Sequence, residues 1–236
     1  MIELNADIGE GCDDVALMPY LARVSIASGG HAGDAASMRA ALQLAAEFGV
    51  AAGAHPSYPD RAGFGRHIVA ARPEQIVAWV TQQTEALAEQ AARLGMRLAH
   101  VKPHGALYNV AAVDAEVAGA VAAAVAMFDA RLVLVGLAGS TLIEAGRAAG
   151  LAVLNEGFAD RRYDPAGRLV SRETPGAVLT DPAAAAEQAG RLAQRRPLPA
   201  LPAGAVRIEA DTICVHGDTP GAINIARAVH AALNPG

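Results

Sequence analysis

Seven short apolar runs, alternating with helical segments along 236 residues, predict an α/β fold: a parallel (β/α) barrel of seven strands. Three observations carry that expectation. Strand–helix alternation repeated this often requires a parallel sheet with right-handed crossovers. The length suits one barrel of roughly 200–250 residues, so residues 1–236 read as a single domain. Polar residues follow six of the seven runs. A barrel collects side chains from most of its strand ends, whereas an open sheet concentrates its site at one switch point.

In chain order, strands are expected at Ile2–Asn5, Arg23–Ala27, Val50–Ala54, Leu98–Lys102, Arg131–Gly136, Ala152–Asn155 and Thr212–Val215, each short and flanked by Gly, Asp or Pro. Between them, helices are expected at Ala35–Phe48, from Pro73 to Leu94, and at Asp114–Phe128, Thr141–Ala149, Asp181–Gln194 and Pro220–Leu233. The segment from Pro73 places Ile76, Val80, Leu87, Ala91 and Leu94 on one face, with Gly95 as its stop. Asp34 and Asp181 read as N-caps, the second followed by Pro182 at the first helical position. Thr219 reads as the cap of the last helix, whose free N–H groups would then face an anion. The stretch Arg195–Pro202 reads as a loop.

Composition excludes several classes. The net charge is −5 without a basic run, which speaks against nucleic acid. Met1 leads directly into Ile2-Glu3-Leu4 without a secretion leader. The longest apolar run, Val117 to Phe128, is too short to span a bilayer, so no membrane partner is expected. Cys12 and Cys214 are the only cysteines, too few for a disulfide framework; a cytoplasmic setting is expected. Neither a GxGxxG turn nor a GxxxxGK[ST] loop is present, so no nucleotide site is legible.

Six segments carry chemistry. Asn5 and Asp7 share one side of the first strand. His31 sits among glycines in Ser28-Gly29-Gly30-His31-Ala32-Gly33-Asp34. His55 opens a long loop stiffened by prolines and ending in Gly63-Phe64-Gly65-Arg66, where Arg66 can pair with a carboxylate. Lys102, the only lysine of the chain, shares a face with His100 and His104. Three cations together would depress one another's pKa and poise the amine for proton transfer. Glu156 ends the sixth strand and Asp160 follows in its loop; His216 and Asp218 follow the last strand.

The strings LNADIGEG, SGGHAGD, GAHPSYPD with GFGR, VKPHGALYN, EGFADRRYD and CVHGDTP together resemble the LamB/YcsF family, in family order from residue 4 to 220. The resemblance implies a glycoside hydrolase/deacetylase-like barrel. It also implies ATP-dependent opening of 5-oxo-L-proline to L-glutamate, with this chain as the A subunit of a 5-oxoprolinase that includes subunits B and C. ATP would be a co-substrate, accompanied by magnesium. Family members usually carry cysteine where Ala6 and Ser28 stand, so a cysteine nucleophile is excluded at both places. Opening a lactam needs a proton at nitrogen, an attacking water or nucleophile, and charge stabilisation at oxygen. Asp7, His55, Lys102, His104, Glu156 and His216 are the catalytic candidates, and Asn5, His31, Arg66, Asp160 and Asp218 the substrate-binding ones. The last helix start is a further candidate for the substrate carboxylate.

Two alternatives stay open. A metal-dependent deacetylase or amidohydrolase acting alone would draw ligands from Asp7, His31 and His55, although no HExxH pair is present. A non-catalytic regulatory or sugar-binding barrel would bind a ligand without turnover.

Overall fold

The computed structural model describes residues 2–234. Seven parallel strands close into a barrel in the order β1-β2-β3-β4-β5-β6-β9. They are β1 (Glu3–Ile8), β2 (Arg23–Ala27), β3 (Ala51–His55), β4 (His100–Val101), β5 (Val133–Leu137), β6 (Val153–Phe158) and β9 (Thr212–His216). The helices are α1 (Asp14–Leu17), α2 (Ala35–Phe48), α3 (Pro73–Arg93), α4 (Gly105–Ala111), α5 (Ala115–Asp129), α6 (Thr141–Ala148), α7 (Pro182–Ala193) and α8 (Ala222–Leu233). The predicted barrel and its strand number are therefore observed. Among the described residues no single helix is long and apolar enough to cross a membrane.

Local chemistry explains the regular elements. The Asp34 carboxylate accepts from the backbone of Ala36 and Ser37, and the Ser37 hydroxyl closes a capping box. Asp181 caps α7 with Pro182 behind it, as predicted. In α5, Ala118, Ala120, Ala122 and Ala124 are buried: their small side chains let this helix pack closely.

The strand faces are divided unusually. Leu4, Ala6, Ile8, Val24, Ile26, Val101, Ile213 and Val215 alternate along the strands and belong to the apolar core. The intervening residues meet across the barrel axis and are polar: the Asn5 amide donates to Thr212 Oγ1 at 2.8 Å, and Ser25 Oγ lies 3.1 Å from His100 Nε2. Apolar burial thus holds the helices to the outside, while the lumen is left to hydrogen bonds and charge.

Several local expectations are corrected. Strands β1, β3, β6 and β9 run further than expected, because each is paired on both sides. Asp7, His55, Glu156 and His216 therefore belong to strands and do not follow them. Strand β4 is confined to two residues, since Pro103 cannot continue the ladder. Residues 105–111, unassigned from sequence, form α4. The expected loop before the last strand contributes a two-stranded antiparallel ribbon, β7 (Leu198–Pro199) with β8 (Ala205–Val206). Thr219 does not cap α8, which begins at Ala222 behind Gly221; the Thr219 hydroxyl donates instead to Asp160 Oδ2 at 2.8 Å.

Candidate active site

The C-terminal strand ends surround a cavity of about 580 Å³, lined among others by Asp7, Glu10, His55, Arg66, Lys102, His104, His216 and Asp218. The volume falls in the range of small-molecule sites.

Lys102 stands at its floor. It is 2% exposed, and its ammonium lies 2.9 Å from Asp7 Oδ1 and 2.7 Å from Glu156 Oε1, with Asn5 Oδ1 and Cys214 Sγ at 3.4 and 3.3 Å. Burial alone would push the amine pKa down, but Asp7, Cys214 and Glu156 outweigh it and hold the pKa well above the usual lysine range. This overturns the expectation of an amine deprotonated by neighbouring cations. His100 is turned toward Ser25 and Arg23, and carboxylates occupy the space around Lys102. The Asp7 carboxylate is buried, yet His55 and Lys102 hold its pKa well below the ordinary value. Glu156 is fully buried behind Lys102 and accepts from the Tyr108 hydroxyl at 2.7 Å. It supports the lysine and does not line the cavity, a correction to its place among the residues expected at the reacting centre.

Beside Lys102, four side chains turn inward together. Glu10 Oε1, His31 Nε2, His55 Nε2 and His104 Nδ1 all lie within 4.8 Å of one another. His55 Nδ1 lies 2.7 Å from the carbonyl of Lys102, and His104 Nε2 lies 2.9 Å from that of Phe64. A carbonyl only accepts, so each of those outer nitrogens carries its hydrogen. The inner nitrogens, His55 Nε2 and His104 Nδ1, face each other at 3.0 Å. Two bare lone pairs repel at that distance, so a proton or a cation must lie between them. As a proton it belongs to His55: burial opposes its charge, but Asp7 and Glu10 raise its pKa. Burial and His55 lower His104 well below the ordinary value, and His31 falls to about 3 by the same causes. Burial lifts Glu10 to about 7, against the pull of His55.

Two glycines hold this arrangement. Gly65 has φ +64°, and a Cβ there would lie 2.9 Å from both His104 Cδ2 and His31 Cβ. Gly105 has φ +57°, and its Cβ would stand 2.4 Å from the Gly65 carbonyl, which accepts from Ala106 N. Gly65→Ala should therefore displace His104 and cost about 1–3 kcal/mol of stability; a melting temperature equal to wild type would contradict the close fit.

Beside Asp7 and Cys214, whose polar atoms lie within 4.8 Å of its ring, His216 donates from Nδ1 to Asp160 Oδ1 at 2.9 Å. The fully buried Asp160 also accepts from His216 N and Thr219 Oγ1, and these bonds with the nearby His216 outweigh burial to lower its pKa. Because Nδ1 spends its hydrogen on Asp160, Nε2 is left as the ring's other working atom at the cavity wall. The ring stacks on Phe158, with centroids 5.3 Å apart. Asp160 positions His216 and does not itself line the cavity, and the same is true of Asn5 and His31 behind the other walls. Arg66 and Arg172 both pair with Asp218 at the rim, so Asp218 is engaged by two guanidinium groups.

The LamB/YcsF family model matches residues 2–235. The chain belongs to the LamB/YcsF family. Among its relatives, the 5-oxoprolinase A subunit of Chloroflexus aggregans is 50% identical, covering 98% of this chain and 94% of the relative. The protein of the same name from Methylococcus capsulatus is 49% identical over 98% and 92%. A solved structure, the lactam utilization protein of Thermus thermophilus, superposes with a TM-score of 0.91 at 42% identity, covering 98% of this chain and 95% of that one.

Sequence reasoning placed five of its six catalytic candidates on this LamB/YcsF cavity but missed Glu10, Tyr108 and Arg161. Glu10 lies beyond the end of β1, and its contacts with His31, His104 and His55, at 2.9, 3.4 and 3.7 Å, place it inward. Tyr108 was visible in the fourth motif, yet nothing local pairs it with Glu156. Ser28 serves the backbone, since its hydroxyl donates to Ile26 O and accepts from His55 N.

Proposed function

We propose that this chain is the A subunit of an ATP-dependent 5-oxoprolinase, opening 5-oxo-L-proline to L-glutamate together with subunits B and C in the cytoplasm. The observation that carries the reading is that the Asp160-bound His216 and Lys102 meet on either side of Asp7 and line one cavity. The names of relatives 46–50% identical over nearly the full chain support the substrate. His216 Nε2 is placed to carry a proton between the attacking group and the lactam nitrogen. Asp160 keeps the hydrogen on Nδ1 and offsets the charge the ring acquires. Lys102 is too firmly protonated to act as a base; its fixed charge supports negative charge developing on the lactam oxygen. ATP, with its magnesium, is read as a co-substrate of the assembled enzyme, since this chain has no phosphate loop. The purified chain alone should hydrolyse 5-oxoproline negligibly, and adding subunits B and C with ATP should restore turnover. Robust turnover by the chain alone without ATP would refute this reading.

The facing nitrogens of His55 and His104 favour a second reading, in which a divalent cation takes the place of the trapped proton. Four of the six separations among Glu10, His31, His55 and His104, at 2.9, 3.7, 3.4 and 3.0 Å, bracket the edge of a tetrahedral zinc site, which is ~3.3 Å for ligands about 2.0 Å from the metal; all six lie within 4.8 Å. His55 and His104 are also oriented by carbonyls, as ligand histidines usually are. A cation held there would supply Lewis-acid polarisation of the amide carbonyl. Zinc titration followed by calorimetry should saturate at one equivalent in the wild-type chain and at none in His104→Ala. Equal stoichiometry in both would exclude this cluster as the metal centre.

A further inference from the structure

The cavity mouth holds guanidinium groups with no carboxylate to answer them. Arg161 is 6% exposed, and its Nη2 donates to the Val170 carbonyl at 2.6 Å. Its buried Nε has no partner among the described residues. Asp160, its neighbour in the chain, is committed to His216 and Thr219. Burial, with Arg172 adding repulsion, pushes the Arg161 pKa down to about 10, so the group is still charged at neutral pH. Arg168 is exposed on the same wall, and its guanidinium makes no ion pair among the described residues.

The segment carrying them is pinned across the mouth. Arg161 bridges Val178, Tyr163 bridges Leu169, and the buried Tyr163 hydroxyl accepts from Phe158 N at 2.6 Å. The cationic groups are therefore held in place before any ligand arrives. Cations outnumber acids along the lining: Arg66, Lys102, Arg161, Arg168 and Arg172 stand against Asp7, Glu10, Glu173 and Asp218. Of the groups that sequence alone nominated for the substrate carboxylate, Arg66 is tied to Asp218, and Lys102 stands on the cavity floor between Asp7 and Glu156. A buried guanidinium without a counter-charge is costly, and a bidentate oxyanion relieves that cost.

We propose that Arg161, with Arg168 beside it, forms an oxyanion subsite for the ligand's carboxylate or for a phosphoryl group. Which of the two it takes rests on the lactam reading above; that it takes an oxyanion does not. Calorimetric titration of the full chain with 5-oxo-L-proline, its uncharged carboxamide and inorganic phosphate tests it, using wild type, Arg161→Gln and Arg168→Gln. Wild type should bind at least one of the two anions. Arg161→Gln should weaken that binding at least tenfold, and Arg168→Gln about threefold. Loss confined to 5-oxoproline, with carboxamide affinity unchanged, identifies the carboxylate; loss confined to phosphate identifies a phosphoryl group. Wild type that binds phosphate but neither lactam would remove the lactam reading and leave the subsite standing. If Arg161→Gln fails to fold, Arg168→Gln decides by the same threefold loss. Anion binding at wild-type strength in every folded variant, or no anion binding by wild type, would overturn the proposal.

Discussion

Lys102→Met should lower turnover of the assembled enzyme by two or more powers of ten, about 2.7 kcal/mol or more of transition-state stabilisation. It should also destabilise the fold. The ammonium sits between Asp7 and Glu156, both buried, and its removal leaves Glu156 without a counter-charge and Asp7 with His55 alone. Breaking a buried ion pair from one side costs about 3–5 kcal/mol. Adding Glu156→Gln to Lys102→Met should recover part of the melting temperature, because one buried charge disappears, and none of the turnover. That divergence separates the lysine's structural role from its catalytic one. Lys102→Arg restores the charge but not the shape: a planar fork cannot occupy the place of a compact ammonium that meets four polar atoms. Its turnover should fall as far as that of the methionine variant while its stability falls less. A folded Lys102→Met enzyme with normal turnover would show that the lysine has no part in the reaction.

His216→Ala should reduce turnover by about 10²–10⁴-fold, the usual worth of a positioned general acid–base, and should also lower the melting temperature, because the buried Asp160 carboxylate loses its Nδ1 donor. Asp160→Asn tests the same pair from behind. An amide can present its NH₂ to Nδ1, reversing the tautomer and placing the hydrogen on Nε2. Turnover should fall by at least a hundredfold although no atom of the cavity wall is removed. Stability should respond to pH in a defined direction. The folded pKa of Asp160 is depressed, so its carboxylate contributes stability that is present above the unfolded value of about 3.9 and lost as pH falls through the folded value. Asp160→Asn should therefore flatten the acid side of the melting-temperature profile, and a profile parallel to wild type would argue against a charged Asp160.

The seven-stranded barrel, most helix bounds and five of the six proposed catalytic positions were legible in the sequence, because each rests on short-range order. A period of two marks a strand, a longer period marks a helix, and aspartate or proline marks a helix start. The polar residues at β1, β3, β4 and β9 were found for the same reason. Charge state and role were not legible, since they depend on partners distant in the chain. Lys102 reads as one of three neighbouring cations until barrel closure places Asp7 and Glu156 against it. Asp160 reads as a second loop carboxylate until β6 and β9 pair and bring it behind His216. Thr219 reads as a helix cap until the same carboxylate claims its hydroxyl. Glu10 joins the histidines because the turn after β1 meets His31, His104 and His55. Local sequence thus determined which residues stand at the barrel mouth; tertiary structure decided which are charged, which are bare and which only support another, because electrostatic energy depends on distances that barrel closure alone sets.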